Sequence, residues 1–151
     1  MPRRQSLSAA QRSALLAIPS EAAQLAHHYT LTPRDRALIR ARRGAHNQLG
    51  FAVQWAYLRF PGQPMGADDI PPPSLVDFLA QQLRMESDAW TEYALRDETR
   101  REHARELQGA FGYRSFTVVE YRRLRDWLTD LASQTHNAVS LAEQLIERLR
   151  A

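Results

Sequence analysis

Arg40, Arg42 and Arg43 crowd around Gly44, and His46, Asn47 and Gln48 follow at once. A guanidinium group is planar, permanently charged and forked, so it matches phosphate oxygens and the major-groove edge of guanine. Histidine, asparagine and glutamine at the start of a helix can reach base edges. The chemistry these residues offer is therefore a grip on a nucleic-acid backbone with base reading beside it. Arg34 and Arg36 precede them. If one helix runs from Pro33 to the glycine, about 100° per residue puts Arg36, Arg40 and Arg43 on a common face. The competing reading is a solvated helix side whose last arginines complement the helix dipole, with Asn47 acting only as a cap.

A second cluster lies in "ELQGAFGYRSFTVVEYRRLRDW", residues 106–127. With Gly112 as the turn glycine, Leu107 and Phe111 before it and Val118 and Tyr121 after it fall where a helix-turn-helix needs its packing residues. Arg114, Ser115 and Thr117 would then open a recognition helix that carries Arg122 further along. Arg114 could equally bond a neighbouring carbonyl. Arg100 and Arg101, on the preceding helix, are further candidate DNA contacts, although Glu98, Glu102 and Arg105 interleave with them as on a solvated face.

Other chemistries find no support. The absence of cysteine excludes disulfides, thiolate catalysis, zinc fingers and iron-sulfur clusters. The histidines at 27, 28, 46, 103 and 136 do not have the spacing of a zinc site. Asp68 and Asp69 sit in a proline- and glycine-rich stretch, where solvated turn residues are the rule. No glycine loop cradles a phosphate and no serine lies in a nucleophile elbow. The expectation is a non-catalytic chain with no metal site and no cofactor.

The elements that must position the arginines are helical. Strand signals are scarce, and an all-α bundle of about eight or nine helices with helix-turn-helix-like units is expected from the spacing of apolar residues. Ser8 with Gln11, Thr32-Pro33 with Asp35, and Thr117 with Glu120 are N-terminal capping signals. The first two open helices running to about Ala17 and to Gly44, and the third opens a helix at Thr117. Further helices are expected near 20–27, 45–59, 74–84, 87–94 and 97–110, with a last one from about Asn137. Phe51, Trp55, Tyr57 and Phe60 follow the basic stretch and should be the core holding it in place, with Trp55 buried. "FPGQPMGADDIPPP", residues 60–73, cannot be helix interior and is a linker or an ordered loop. It suggests a bipartite chain, with a basic subdomain at 1–85 and a second, carrying the helix-turn-helix-like unit, at 86–151.

Charge divides the chain in the same sense. Residues 1–60 hold nine arginines against Glu21 and Asp35, a net of +7, whereas residues 61–151 hold eleven against fifteen acids, a net of −4. A polyanion is drawn to the first part. Neither a secretory h-region nor a long apolar span is present, so the expected location is cytoplasmic, with no membrane partner.

The opening "LSAAQRSALLAIP", then "RRGAHNQLGFAVQWAYLRFPG" and "YALRDETRREHARELQGAFGYRSFT" occur in this order over essentially the whole chain. The pattern resembles the N-terminal region of the large transposases of the Tn-three family of replicative transposons. The resemblance implies a helical, bipartite region that binds double-stranded DNA at the terminal inverted repeats. It also implies that the metal-dependent strand-transfer site belongs to a much longer C-terminal part. It assigns no base contact to any one arginine. The rival reading is a protein-interaction module, in which the aromatic run and the acidic half pair with another transposase subunit.

Overall fold

The structure, a computed structural model, describes residues 6–150. Among them the chain forms nine helices and no strand: α1 Ala9–Leu15, α2 Ala22–Tyr29, α3 Pro33–Arg40, α4 Ala45–Arg59, α5 Pro73–Leu83, α6 Ala89–Ala94, α7 Asp97–Ala110, α8 Val118–Gln134 and α9 Ala138–Arg150. The expected caps are in place. Ser8 and Gln11 close a reciprocal box at α1, Thr32 and Asp35 close another at α3, and the Thr117 hydroxyl accepts from the Glu120 backbone at α8. Each satisfies amide groups that a helix start leaves without intrahelical partners. One helix is shorter than expected. α3 stops at Arg40, and residues 41–44 form the turn into α4.

Two compact units emerge. The larger is Ile18–Tyr113; the smaller joins the segment ending at Ala17 to the one beginning at Arg114. The division expected after residue 85 falls inside the larger unit, because α5 and α6 both pack on α4. The loop at 60–73 is likewise ordered within it. Pro61 and Pro71 are buried, the Tyr29 hydroxyl donates to the Phe60 carbonyl at 2.7 Å, and Asp69 accepts from the Gly66 amide at 2.6 Å.

α4 is the axis of the larger unit. Every residue from Leu49 to Leu58 is buried, and α2, α3, α5, α6 and α7 all pack against the helix. A helix apolar all round can only be an interior one, and the aromatic run of the basic stretch is that interior: Phe51 is fully buried and Trp55 nearly so. Phe60, just past the end of α4, is half-buried against this core. Gly50 permits the closest approach, because a β-carbon there would lie 2.1 Å from the Tyr93 ring of α6. The one buried amide on α4, Gln54, donates to the Tyr93 hydroxyl at 2.6 Å and to the Arg100 carbonyl at 2.9 Å. Gln82 of α5 similarly accepts from the Leu31 amide and donates to the Tyr29 carbonyl, fixing the chain between α2 and α3.

The smaller unit is built differently. α9 packs against α1 and α8, Arg148 lies over the Trp127 ring at 4.6 Å, and Ala132 is the one buried apolar residue among those described there. Leu124, Trp127, Leu128 and Leu131 form its half-buried seam at helical spacing along α8.

Candidate nucleic-acid interface

The expected contact residues fall into two classes. Arg34, Arg40 and Arg43 are exposed, and their guanidinium groups have no ion-pair or hydrogen-bond partner among the described residues. Arg101, Arg114, Ser115 and Arg122 are exposed in the same way. The remaining residues are engaged in holding the fold. Arg36 donates to the Gln82 carbonyl at 2.9 Å, and Arg100 donates to the Ala94 and Gly66 carbonyls, each at 3.2 Å. Arg42 pairs with Glu106 of α7 and lies 4.6 Å from the centre of the Phe51 ring. Its guanidinium is thus sandwiched between α4 and α7.

The turn between α3 and α4 shows why the polar triplet stands after the glycine. Gln48 donates to the Arg42 carbonyl and Asn47 to the Arg43 carbonyl, both at 2.9 Å. His46 faces Glu92 of α6 at 3.6 Å. Asn47 and Gln48 thus satisfy two carbonyls of the turn itself, beyond the end of α3. The turn is not fully satisfied: Arg42 Nε, His46 Nε2 and Asn47 Oδ1 are buried without a partner. From Leu49 to Leu58, α4 has no exposed residue to lay in a groove.

The second cluster also differs from its expected register. Gly112, at φ +71°, ends α7 in a left-handed conformation that glycine adopts without strain, and the Tyr113 amide returns to the Gln108 carbonyl. Leu107 and Phe111 before it pack into the core of the larger unit. Val118 and Tyr121 after it are 65% and 53% exposed, so they are not packing residues of a helix-turn-helix seam. The reason lies along α8: its seam begins at Leu124, and Val118 is rotated well away from that face.

Among the described residues no three His, Cys, Asp or Glu side chains gather as metal ligands, and no helix is long and apolar enough to cross a membrane.

Residues 7–151 match a protein family described as Domain of unknown function (DUF4158). The chain belongs to this family. The relatives that the chain matches include transposases. The chain is 50% identical to the transposase for transposon Tn3926 of Escherichia coli, 44% to that for Tn501 of Pseudomonas aeruginosa and 32% to that for Tn1546 of Enterococcus faecium. These alignments cover 97–99% of this chain but only 15% of each relative.

Beneath the basic turn, this DUF4158 chain carries a buried polar chain of contacts that reading the sequence did not single out. The Tyr93 hydroxyl, which accepts from Gln54, lies 3.0 Å from His103 Nδ1, and the two rings stack at 5.6 Å. The hydroxyl donates to Nδ1 or accepts from Nδ1–H according to the His103 tautomer. Burial pushes the Tyr93 phenol up to about 12. Burial first, and then the Arg42 guanidinium, hold His103 below the usual histidine range, against an opposite pull from Glu106. A depressed folded-state value means that the unfolded chain takes up the proton first as pH falls. Stability should therefore be full above about pH 6.5, the unfolded value, and decline below it. Thermal melts between pH 7.5 and 5 test this: the decline should flatten in His103→Asn, and a wild-type melting temperature level across that range would refute it.

Proposed function

We propose that this chain is a sequence-specific double-stranded DNA-binding module that recognises transposon terminal inverted repeats as part of a transposase. The observation that carries the reading is the pair of exposed arginines, Arg40 and Arg43, at and just past the end of α3 with no partner among the described residues, in a chain whose relatives include transposases. An uncompensated guanidinium releases counterions when it meets a phosphate, and that release drives sequence-independent affinity. Arg40 and Arg43 are assigned to the phosphate backbone, with Arg34 and Arg101 as further cations. Arg114, Ser115 and Arg122 are assigned to the base-reading side. In this reading strand cleavage and joining reside elsewhere in the longer protein, and the chain itself acts in the cytoplasm without a cofactor.

Electrophoretic shift titrations against an inverted-repeat duplex and a scrambled duplex, each at several salt concentrations, provide the test. The expected result is tighter binding to the repeat and a steep fall of both affinities with salt. The same mixtures with Mg²⁺ should contain no nicked or joined strands. Equal affinity for both duplexes would reduce the function to non-specific binding. Self-association that is indifferent to salt, with no shift of either duplex, would favour the protein-interaction reading.

A further inference from the structure

The start of α8 carries apolar side chains that no core claims. Phe116 is 60% exposed, Val118 65% and Val119 55%. Arg122, one turn on, has no partner among the described residues, and at i, i+4 and i, i+3 it shares a helix surface with the two valines. Helical spacing puts Leu124, Trp127, Leu128 and Leu131 on the opposite side, so packing within the unit does not explain these residues. α8 is long enough, at 17 residues, to cross a groove while its far end stays in the seam.

We infer that this surface enters the major groove of duplex DNA and that Val118 and Val119, with Phe116 beside them, read thymine through its C5-methyl group. The inference rests on the DNA-binding reading above and adds the kind of base recognised. Three features favour this occupant. Apolar side chains discriminate thymine by contact with the methyl that projects into the major groove, the only hydrocarbon group a base presents there. The patch is bordered by the free cations Arg114 and Arg122, which suit flanking phosphates or guanine, whereas a protein surface would have to bury them. A single-stranded partner would call for a row of stacking aromatics, and two branched aliphatic side chains have no flat face to stack on.

The probe is the duplex recovered by the full 151-residue chain from a random-sequence library, remade with each thymine replaced in turn by deoxyuridine, which removes one methyl and nothing else. At one or more positions the wild-type chain should bind the substituted duplex about threefold to fivefold more weakly, the loss corresponding to one buried methyl. Val118→Ser and Val119→Ser should bind the thymine duplex more weakly and lose the response to deoxyuridine, while keeping the wild-type melting temperature and salt slope. Val118→Thr, which retains one methyl, should fall between. A wild-type chain indifferent to deoxyuridine at every position overturns the inference, as do serine variants that respond like wild type, and both leave DNA binding itself standing. Recovery of no duplex at all removes the two readings together. Serine variants that bind DNA normally but lose a self-association seen in the wild type would assign the patch to a second copy of the chain instead.

Discussion

Gly50→Ala is expected to destabilise the larger unit by about 3 kcal/mol, and Gly50→Val to prevent its folding. Two effects of opposite sign compete. Alanine in a helix interior is favoured over glycine by about 1 kcal/mol, so on propensity alone the substitution should help. Against that, the new β-carbon would stand 2.1 Å from two atoms of the Tyr93 ring. The ring cannot move aside cheaply. It is fully buried, its hydroxyl is held by Gln54 and His103, and its face stacks on the His103 imidazole. Relief requires either that α6 separate from α4 or that the buried hydrogen bonds break, and an unsatisfied buried polar group costs about 1–3 kcal/mol by itself. For a unit of this size the expected loss corresponds to a melting temperature lower by roughly 12 °C or more. Circular dichroism melts measure it, and a double-mutant cycle locates the cause. In a Tyr93→Ala background Gly50→Ala should cost little, because the clashing atoms are gone. A Gly50→Ala protein that melts within 2 °C of wild type, an allowance set by roughly 4–8 °C per kcal/mol, would show that the two helices separate freely.

The same contact explains what the sequence could and could not disclose. Helix starts are local events, decided by a side chain and an amide three residues apart. Ser8 with Gln11, Thr32 with Asp35 and Thr117 with Glu120 are therefore legible from spacing alone. The density of Leu, Phe, Val, Trp and Tyr along 49–58 likewise marks an interior helix. Long-range partners are another matter. Glu106, which holds Arg42, is 64 residues away, and Tyr93, which holds Gln54, is 39 away. Nothing near Arg42 distinguishes it from Arg40 or Arg43, yet one belongs to the core boundary and the others to solvent. The end of α3 was hidden for a related reason. Arg42 and Arg43 are good helix formers, and the chain leaves the helix because Gln48 and Asn47 capture the carbonyls of those two residues. A signal for the apolar surface of α8 was available. The periodic set 124, 127, 128 and 131 leaves Val118 and Val119 off its face, but the expectation of a turn centred on Gly112 assigned Val118 to packing instead.

The distinction between free and engaged arginines makes a prediction that composition cannot. Arg40→Gln with Arg43→Gln should weaken binding to specific and scrambled duplexes by similar factors. Two lost phosphate contacts lower the slope of log K against log salt by about 1.8 and, at 0.15 M salt, reduce affinity about 30-fold. The melting temperature should stay put, because neither guanidinium bonds anything in the fold and surface substitutions of this kind change stability by about 0.5 kcal/mol at most. Arg36→Gln with Arg42→Gln, although it removes the same charge, should behave in the opposite way. It deletes the bond to the Gln82 carbonyl, the Glu106 ion pair and the stack on Phe51, so the protein should melt at a lower temperature. Its salt slope, measured well below that melting temperature, should remain close to wild type. Equal net charge in the two variants removes long-range attraction as an explanation for any difference between them. Were both pairs to lower the slope equally, binding would depend on the overall charge of the chain and the end of α3 would have no special part in it. Were the Arg40 and Arg43 variant to keep its slope, the backbone grip would have to be sought among Arg34, Arg101, Arg114 and Arg122, candidate cations that also have no partner among the described residues.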